Sequence, residues 1–218
     1  SMYLGYLQGL VDFGPRLTDT TACWDAGDWI YDEFQNMGLQ VRYQNWSYWG
    51  YSGSNIEATI PGTDPTSDEI YIVCGHYDSV SGSPGADDDG SGTIAALAAA
   101  YIMKDYQFNH TIKFVAFSVE EQGLLGSHEY AAEAVSNGDN IVGVLNADMI
   151  GFALTQSQGS QIHVFNDGPS SWLYDFTNSV SQQYSDLIDL IALDSGYTWG
   201  SDHNSFWDAG YNALFYHE

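Results

Sequence analysis

The sequence predicts an α/β fold, a mostly parallel sheet with helices on both faces, and three observations predict it. Four short apolar runs rich in β-branched and aromatic residues alternate with three segments whose apolar residues recur at helical spacing, the rhythm of βαβ units. Two further helical patterns and an alternating pair of segments precede them. With 218 residues, 44% of them hydrophobic, the chain can build one sizeable core, and no repeat, low-complexity tract or linker divides it. One domain over residues 1–218, without a large lid insertion, is the expectation.

Met2 to Phe13 and Thr20 to Met37 carry apolar residues at helical spacing, among them Trp24, Trp29, Ile30 and Phe34, and Gly38 stands where a helix stops. Val41 to Tyr51 and Ser54 to Ile60 alternate and predict a hairpin at a sheet edge, turning at Gly50-Tyr51-Ser52-Gly53. Ile70 to Cys74, Thr111 to Ser118, Ile141 to Asn146 and Ile162 to Phe165 are the buried strands. Helices are predicted over Gly92 to Tyr106, Gly126 to Val135 and Trp172 to Tyr184. A strand near Leu187 to Leu193 and a closing one at Ala213 to Tyr216 complete the sheet.

Lys and Arg number 4 against 29 Asp and Glu, a net charge of -25, which excludes counterion-release binding to nucleic acid or an anionic membrane. The most apolar run, Thr93 to Met103, is too short to span a bilayer, so a soluble protein is expected. Such an acidic surface, relieved when salt screens it, suggests a saline or extracellular setting. Ser1-Met2 looks like an expression remnant, so a removed leader would leave no trace, and Asn45 and Asn109 head glycosylation sequons. Cys23 and Cys74 have no metal-ligand spacing and predict buried free thiols.

In parallel sheets ligands bind beyond the carboxyl ends of the strands, where strand order reverses. Three apolar strands run directly into His76-Tyr77-Asp78, Glu120-Glu121 and Asn146-Ala147-Asp148, and a Gly-rich turn carries Asp87-Asp88-Asp89. With His203, these imidazole and carboxylate groups without thiolate suit zinc. Each has an ordinary explanation alone, as a satisfied histidine, a solvated turn or a charged loop. Their joint position after strands, on the ligand-binding side, does not. His110, His128 and His163 match no motif and are expected to be structural.

His76-Tyr77-Asp78-Ser79, Gly85-Ala86-Asp87-Asp88-Asp89-Gly90-Ser91-Gly92, Glu120-Glu121-Gln122-Gly123, Asn146-Ala147-Asp148-Met149 and Ser201-Asp202-His203-Asn204 resemble the co-catalytic two-zinc exopeptidases. This is the family of bacterial leucyl aminopeptidase, aminopeptidase S and aminopeptidase Y, with glutaminyl cyclases as relatives. The resemblance runs from about Tyr71 to Tyr216 and implies a three-layer, zinc-peptidase-like sandwich. It implies two zinc ions per chain: His76 and Asp148 on one, Glu121 and His203 on the other, Asp88 bridging both. Glu120 falls on the family's general base, acting on a metal-bridging hydroxide. Asp78 falls on the carboxylate that orients the imidazole of His76. The peptide after the bridging aspartate, Asp88-Asp89, is cis in the family. Tyr197 and Trp199 lie in a loop that borders the substrate pocket in relatives, and a tyrosine there can hydrogen-bond an oxyanion. Relatives continue past the closing strand, so a chain ending at Glu218 is expected to be trimmed or minimal.

The implied activity is removal of N-terminal residues from peptides, because an anionic site receives a free ammonium group and no arginine stands in the motifs. The alternatives are a glutaminyl-cyclase-like acyltransferase, a carboxypeptidase or deacylase on a related site, and a non-catalytic binding module.

Overall fold

Local signals account for the helices that open the chain. α1 (Met2–Val11) is capped by Ser1, and α2 (Thr21–Asn36) by Thr20, whose hydroxyl accepts from the Cys23 amide. Along α2 the buried residues Cys23, Ala26, Ile30 and Phe34 fall on one stripe, and Gly38, at φ 81°, turns the chain out of the helix. The computed structural model describes residues 1–218. It continues with β1 (Gln40–Tyr48), β2 (Tyr51–Ile60), β3 (Glu69–His76), α3 (Gly90–Met103), β4 (Thr111–Phe117), α4 (Leu125–Asn137) and β5 (Asn140–Ala147). β6 (Gln161–Asn166), α5 (Ser171–Gln183), β7 (Ile191–Gly196), α6 (His203–Asp208) and β8 (Ala213–His217) follow.

All eight strands form one sheet in the order β1-β2-β4-β3-β5-β8-β6-β7. β4, β3, β5 and β8 are parallel at its centre, while β2 joins β4, and β6 joins β8, antiparallel. From β3 the chain moves to β4 on one side and then to β5 on the other, so strand order reverses around β3, as a ligand-binding crevice requires. The layers are those expected. α1, α2 and α3 pack on one face around Leu10, Ile30, Phe34, Leu97 and Phe114, and α4 and α6 on the other around Ile72, Val115, Phe117, Tyr130 and Phe206. α5 covers the β6–β8 end through Leu173, Val164 and Leu214. No helix is long and apolar enough to cross a membrane.

Three local expectations are corrected. The hairpin turns at Trp49-Gly50, with φ 51° and 84°, two residues ahead of the expected turn. Two residues at positive φ match the twist of paired strands, so Tyr51 already pairs with Tyr48. Gly53 is therefore a strand residue, and it is glycine for packing: a Cβ there would lie 2.6 Å from Ser118 Oγ and 2.8 Å from the Trp46 ring. β7 begins at Ile191 rather than near Leu187, because the amides of Leu187 and Ile188 bond back to Tyr184 O as α5 unwinds. α6 was not anticipated; its Phe206 is fully buried between Phe117 and Tyr130. Cys23 and Cys74 are buried free thiols, as expected.

α3 lies unusually close to the sheet. A Cβ on Gly92 would overlap the Ala147 carbonyl oxygen, and one on Gly75 would lie 2.8 Å from the Gly92 carbonyl carbon. Gly5, in α1, has open space around it. Gly92→Ala is therefore expected to destabilise the fold by at least about 1–3 kcal/mol through overpacking. Gly5→Ala should stabilise it by about 0.5–1 kcal/mol through helix propensity. Urea unfolding midpoints of the two variants check both signs.

Candidate metal centre

The centre is assembled from three strand ends, two of them fixed by a buried aspartate. β3 ends at His76, whose amide donates to Asp89 Oδ2 at 3.0 Å. Asp89 Oδ1 accepts from the Gly92 amide at 2.7 Å, so one fully buried carboxylate caps α3 and ties it to β3. The Asp88-Asp89 peptide is cis, and Asp88 is turned outward with Oδ1 3.3 Å from His76 Nε2. β5 leads to Asp148, whose Oδ2 accepts from Ser201 Oγ at 2.6 Å and whose Oδ1 lies 3.8 Å from the same Nε2. The donor atoms of His76, Asp88 and Asp148 all lie within 4.8 Å of one another.

After β4 the chain passes through Val119 at φ 59°, a left-handed conformation that a β-branched residue adopts only under strain of about 1–3 kcal/mol. The amides of Gly123 and Leu124 close this turn onto Glu120 O, and that of Leu125 onto Val119 O. Asp78 holds it from below. Its Oδ1 accepts from the Glu120 amide at 3.1 Å and its Oδ2 from the Glu121 amide at 3.2 Å. Asp78 Oδ1 also lies 3.5 Å from His76 Nδ1, close to the imidazole but not hydrogen-bonded to it. Glu120 Oε2 stands 3.8 Å from His76 Nε2.

The other expected residues divide. Glu121 lines the same cleft of about 300 Å³ as Asp88, Glu120 and Asp148. His203 is buried at the start of α6, stacked on Phe215 at 4.7 Å and edge-on to Trp207 at 4.4 Å, with Nε2 facing Thr198 O at 3.2 Å. Neither belongs to the 4.8 Å group: the aromatic clamp and the Thr198 carbonyl fix the His203 ring. Tyr197 and Trp199 do not line the cleft and are 67% and 69% exposed, whereas Gly200 does line it. Tyr197 stacks on Trp207 instead. His110, His128 and His163 contact Ser67, Glu129 and Ser195, away from the centre. Reasoning from motifs gave no separate role to Asp89, Ser201 and Asp202. Each lies within two residues of a named one, and that proximity is the available signal. Arg16 carried no motif at all.

Burial is the main force on the charges. It raises Glu120 to about 9, against the pull of His76 and with the help of Asp202, Asp148 and Asp78. It raises Glu121 and Asp202 to about 7 and lowers His203 to about 4, leaving that imidazole neutral and its lone pair available at neutral pH. Burial also favours neutral His76, but Glu120, Asp148, Asp78 and Asp88 raise its pKa well above the usual histidine range. Glu121 Oε1 and His203 Nδ1 are buried without any hydrogen-bond partner. Nitrogen and oxygen donors with such orphaned atoms, at and behind a carboxylate-lined cleft, fit a divalent ion of the zinc type.

Solved structures of zinc aminopeptidases share this α/β fold. The structure of BSAP, a zinc aminopeptidase from Bacillus subtilis, shares the fold with a TM-score of 0.84 at 17% identity, over 99% of this chain and 84% of that one. Residues 55–218 match Peptidase family M28, and the chain belongs to that family. It is 31% identical to Leucine aminopeptidase 1 of Sclerotinia sclerotiorum over 96% of this chain and 58% of that protein. It is 34% identical to a probable zinc metalloprotease of Pyricularia oryzae over 94% of this chain and 51% of that protein. The chain thus spans between half and three fifths of the length of these relatives.

Asp88→Ala is expected to abolish metal binding, whereas Asp78→Asn, which leaves the three grouped donors in place, should weaken it by roughly 10–100-fold. Zinc content after dialysis against a weak chelator separates the two. In metal-free protein, Glu120, Glu121 and Asp202 hold their protons to about 9, 7 and 7, against ordinary values of 4.5, 4.5 and 3.8. The folded state then binds more protons than the unfolded chain, so the stability these groups contribute is full below their ordinary values and is lost as pH rises from there through 7 to 9. Urea midpoints of chelated protein across that window should decline. A rise would contradict the assignment.

Proposed function

We propose that the chain is the catalytic domain of a zinc aminopeptidase that removes residues from the N-terminus of peptides. In this reading His76, Asp88 and Asp148 would hold one zinc, and Glu121 and His203 would hold a second. The observation that carries it is the character of the cleft. Asp88, Glu120, Glu121 and Asp148 line it, and no lysine or arginine does. Such a wall attracts a substrate's ammonium group and repels a terminal carboxylate, which favours amino- over carboxypeptidase action. Arg42 is engaged by Glu57 and Glu133, and Arg16 is buried against backbone carbonyls.

Zinc, when bound, supplies Lewis acidity toward a carbonyl oxygen and toward water. The chain's residues supply the proton path and the alignment. Glu120 stands beside the donor group with its amide held by Asp78; the positive charge of bound metal would favour its ionised form, which is placed to take a proton from the attacking water and pass it to the departing amine. Asp78 also lies close to the His76 ring and holds the Glu121 amide. Ser201 holds one oxygen of Asp148, which leaves the other facing His76. A secreted setting fits this reading: both sequon asparagines, Asn45 and Asn109, are exposed.

Glu120→Gln is expected to lower kcat by roughly 10²–10⁴-fold with zinc content unchanged. A peptide with a free amino terminus should be cleaved and its N-acetylated copy left intact. Equal rates on the two would replace the aminopeptidase reading with a deacylase or endopeptidase. Cyclisation of N-terminal glutamine without residue release would replace it with a glutaminyl-cyclase-like acyltransferase.

A further inference from the structure

Arg16 lies outside every motif, in the connection between α1 and α2, yet it is the largest side chain in the molecule that is fully buried. It is one of only 4 basic residues in the chain. Its guanidinium makes no carboxylate contact. Nε donates to Tyr77 O at 2.5 Å, Nη1 to Pro84 O and Nη2 to Gly85 O at 2.9 Å. Its own backbone is latched to the same segment, the amide donating to Ser79 Oγ at 2.9 Å and the carbonyl accepting from the Ser79 amide at 3.1 Å.

The segment so gripped begins one residue after His76 and ends three residues before Asp88, so one planar fork ties together the two chain ends that present those donors. A Cβ on Gly85 would lie 2.8 Å from Nη2, so glycine there lets the guanidinium reach the backbone. Gly85 O also accepts from the Gly90 amide at 3.0 Å, extending the tie to the first turn of α3. The charge has a second use. Asp78 and Asp89 are fully buried nearby, and a cation beneath them offsets their mutual repulsion without occupying their hydrogen-bonding oxygens. A lysine has the charge but not a rigid fork for three carbonyls.

We propose that Arg16 is a positioning residue of the metal centre, holding the Tyr77–Gly85 loop so that His76 and Asp88 stand at metal-binding separation. This rests on the metal-centre reading above, and the test separates the two.

The measurement is equilibrium competition for zinc between the purified chain and a chromophoric chelator, which needs no turnover, with circular dichroism to establish folding. Arg16→Met should remain folded and lose roughly 10–100-fold in zinc affinity, and Arg16→Lys should recover part of that loss. Lys104→Met, which removes a surface cation paired to Asp105, should bind zinc as the parent does. If Asp88→Ala also binds zinc normally, the metal-centre reading itself falls. If Asp88→Ala loses zinc while folded Arg16→Met matches the parent, only the Arg16 proposal falls, and a lowered Tm with unchanged affinity counts the same way. Should Arg16→Met not fold, Arg16→Lys decides: folded with parental affinity, it overturns the proposal. Failure of both to fold also overturns it, since Arg16 would then serve the whole fold.

Discussion

Asp78, Asp89 and Asp202 are fully buried, and Asp148 and Glu120 nearly so; Asp78, Glu120 and Asp148 closely follow the ends of three parallel strands, Asp89 caps α3 and Asp202 precedes α6. An isolated buried carboxylate is among the most unfavourable groups a protein can contain, and this chain gathers several in one place. The surrounding architecture answers that constraint. Asp78 and Asp89 each accept two backbone amides, from Glu120 and Glu121 and from His76 and Gly92. Asp148 is met by Ser201 and by His76. Asp202 has no partner for either oxygen, and burial raises its pKa to about 7.

These hydrogen bonds are long-range in sequence, which makes the centre a property of the sheet rather than of any loop. Asp78 reaches residues from the turn after β4, and Asp89 grips the end of β3. The glycines allow this compactness: Gly75 and Gly92 bring α3 against the sheet closely enough for its capping aspartate to touch β3. A side chain at either would separate the parts that the carboxylates join.

The few cations are deployed with the same economy. Arg42 and Lys113 both meet Glu57, which is buried on β2 and also accepts from Tyr130, and Lys104 pairs with Asp105. Arg16 alone stands beneath the centre. The cleft is left with four carboxylates, His217, Met149, Gly200 and Phe215, and without lysine or arginine.

From the sequence alone the α/β class, the parallel core and the strand-end carboxylates were legible, because hydrophobic periodicity and residue chemistry are local properties. His76, Asp78, Asp88, Glu120 and Asp148 could be named in advance because short motifs after apolar strands mark the same edge of a parallel sheet. Tertiary structure decided which of them meet. The 4.8 Å grouping of His76, Asp88 and Asp148 depends on β3 lying between β4 and β5, an order that no local pattern encodes. α6 was missed because six residues are too few to show a helical period, and its Phe206 is held by Phe117 and Tyr130 from distant segments. Arg16 was illegible for the same reason: its partners are backbone carbonyls more than 60 residues away, which leave no side-chain signature in the sequence.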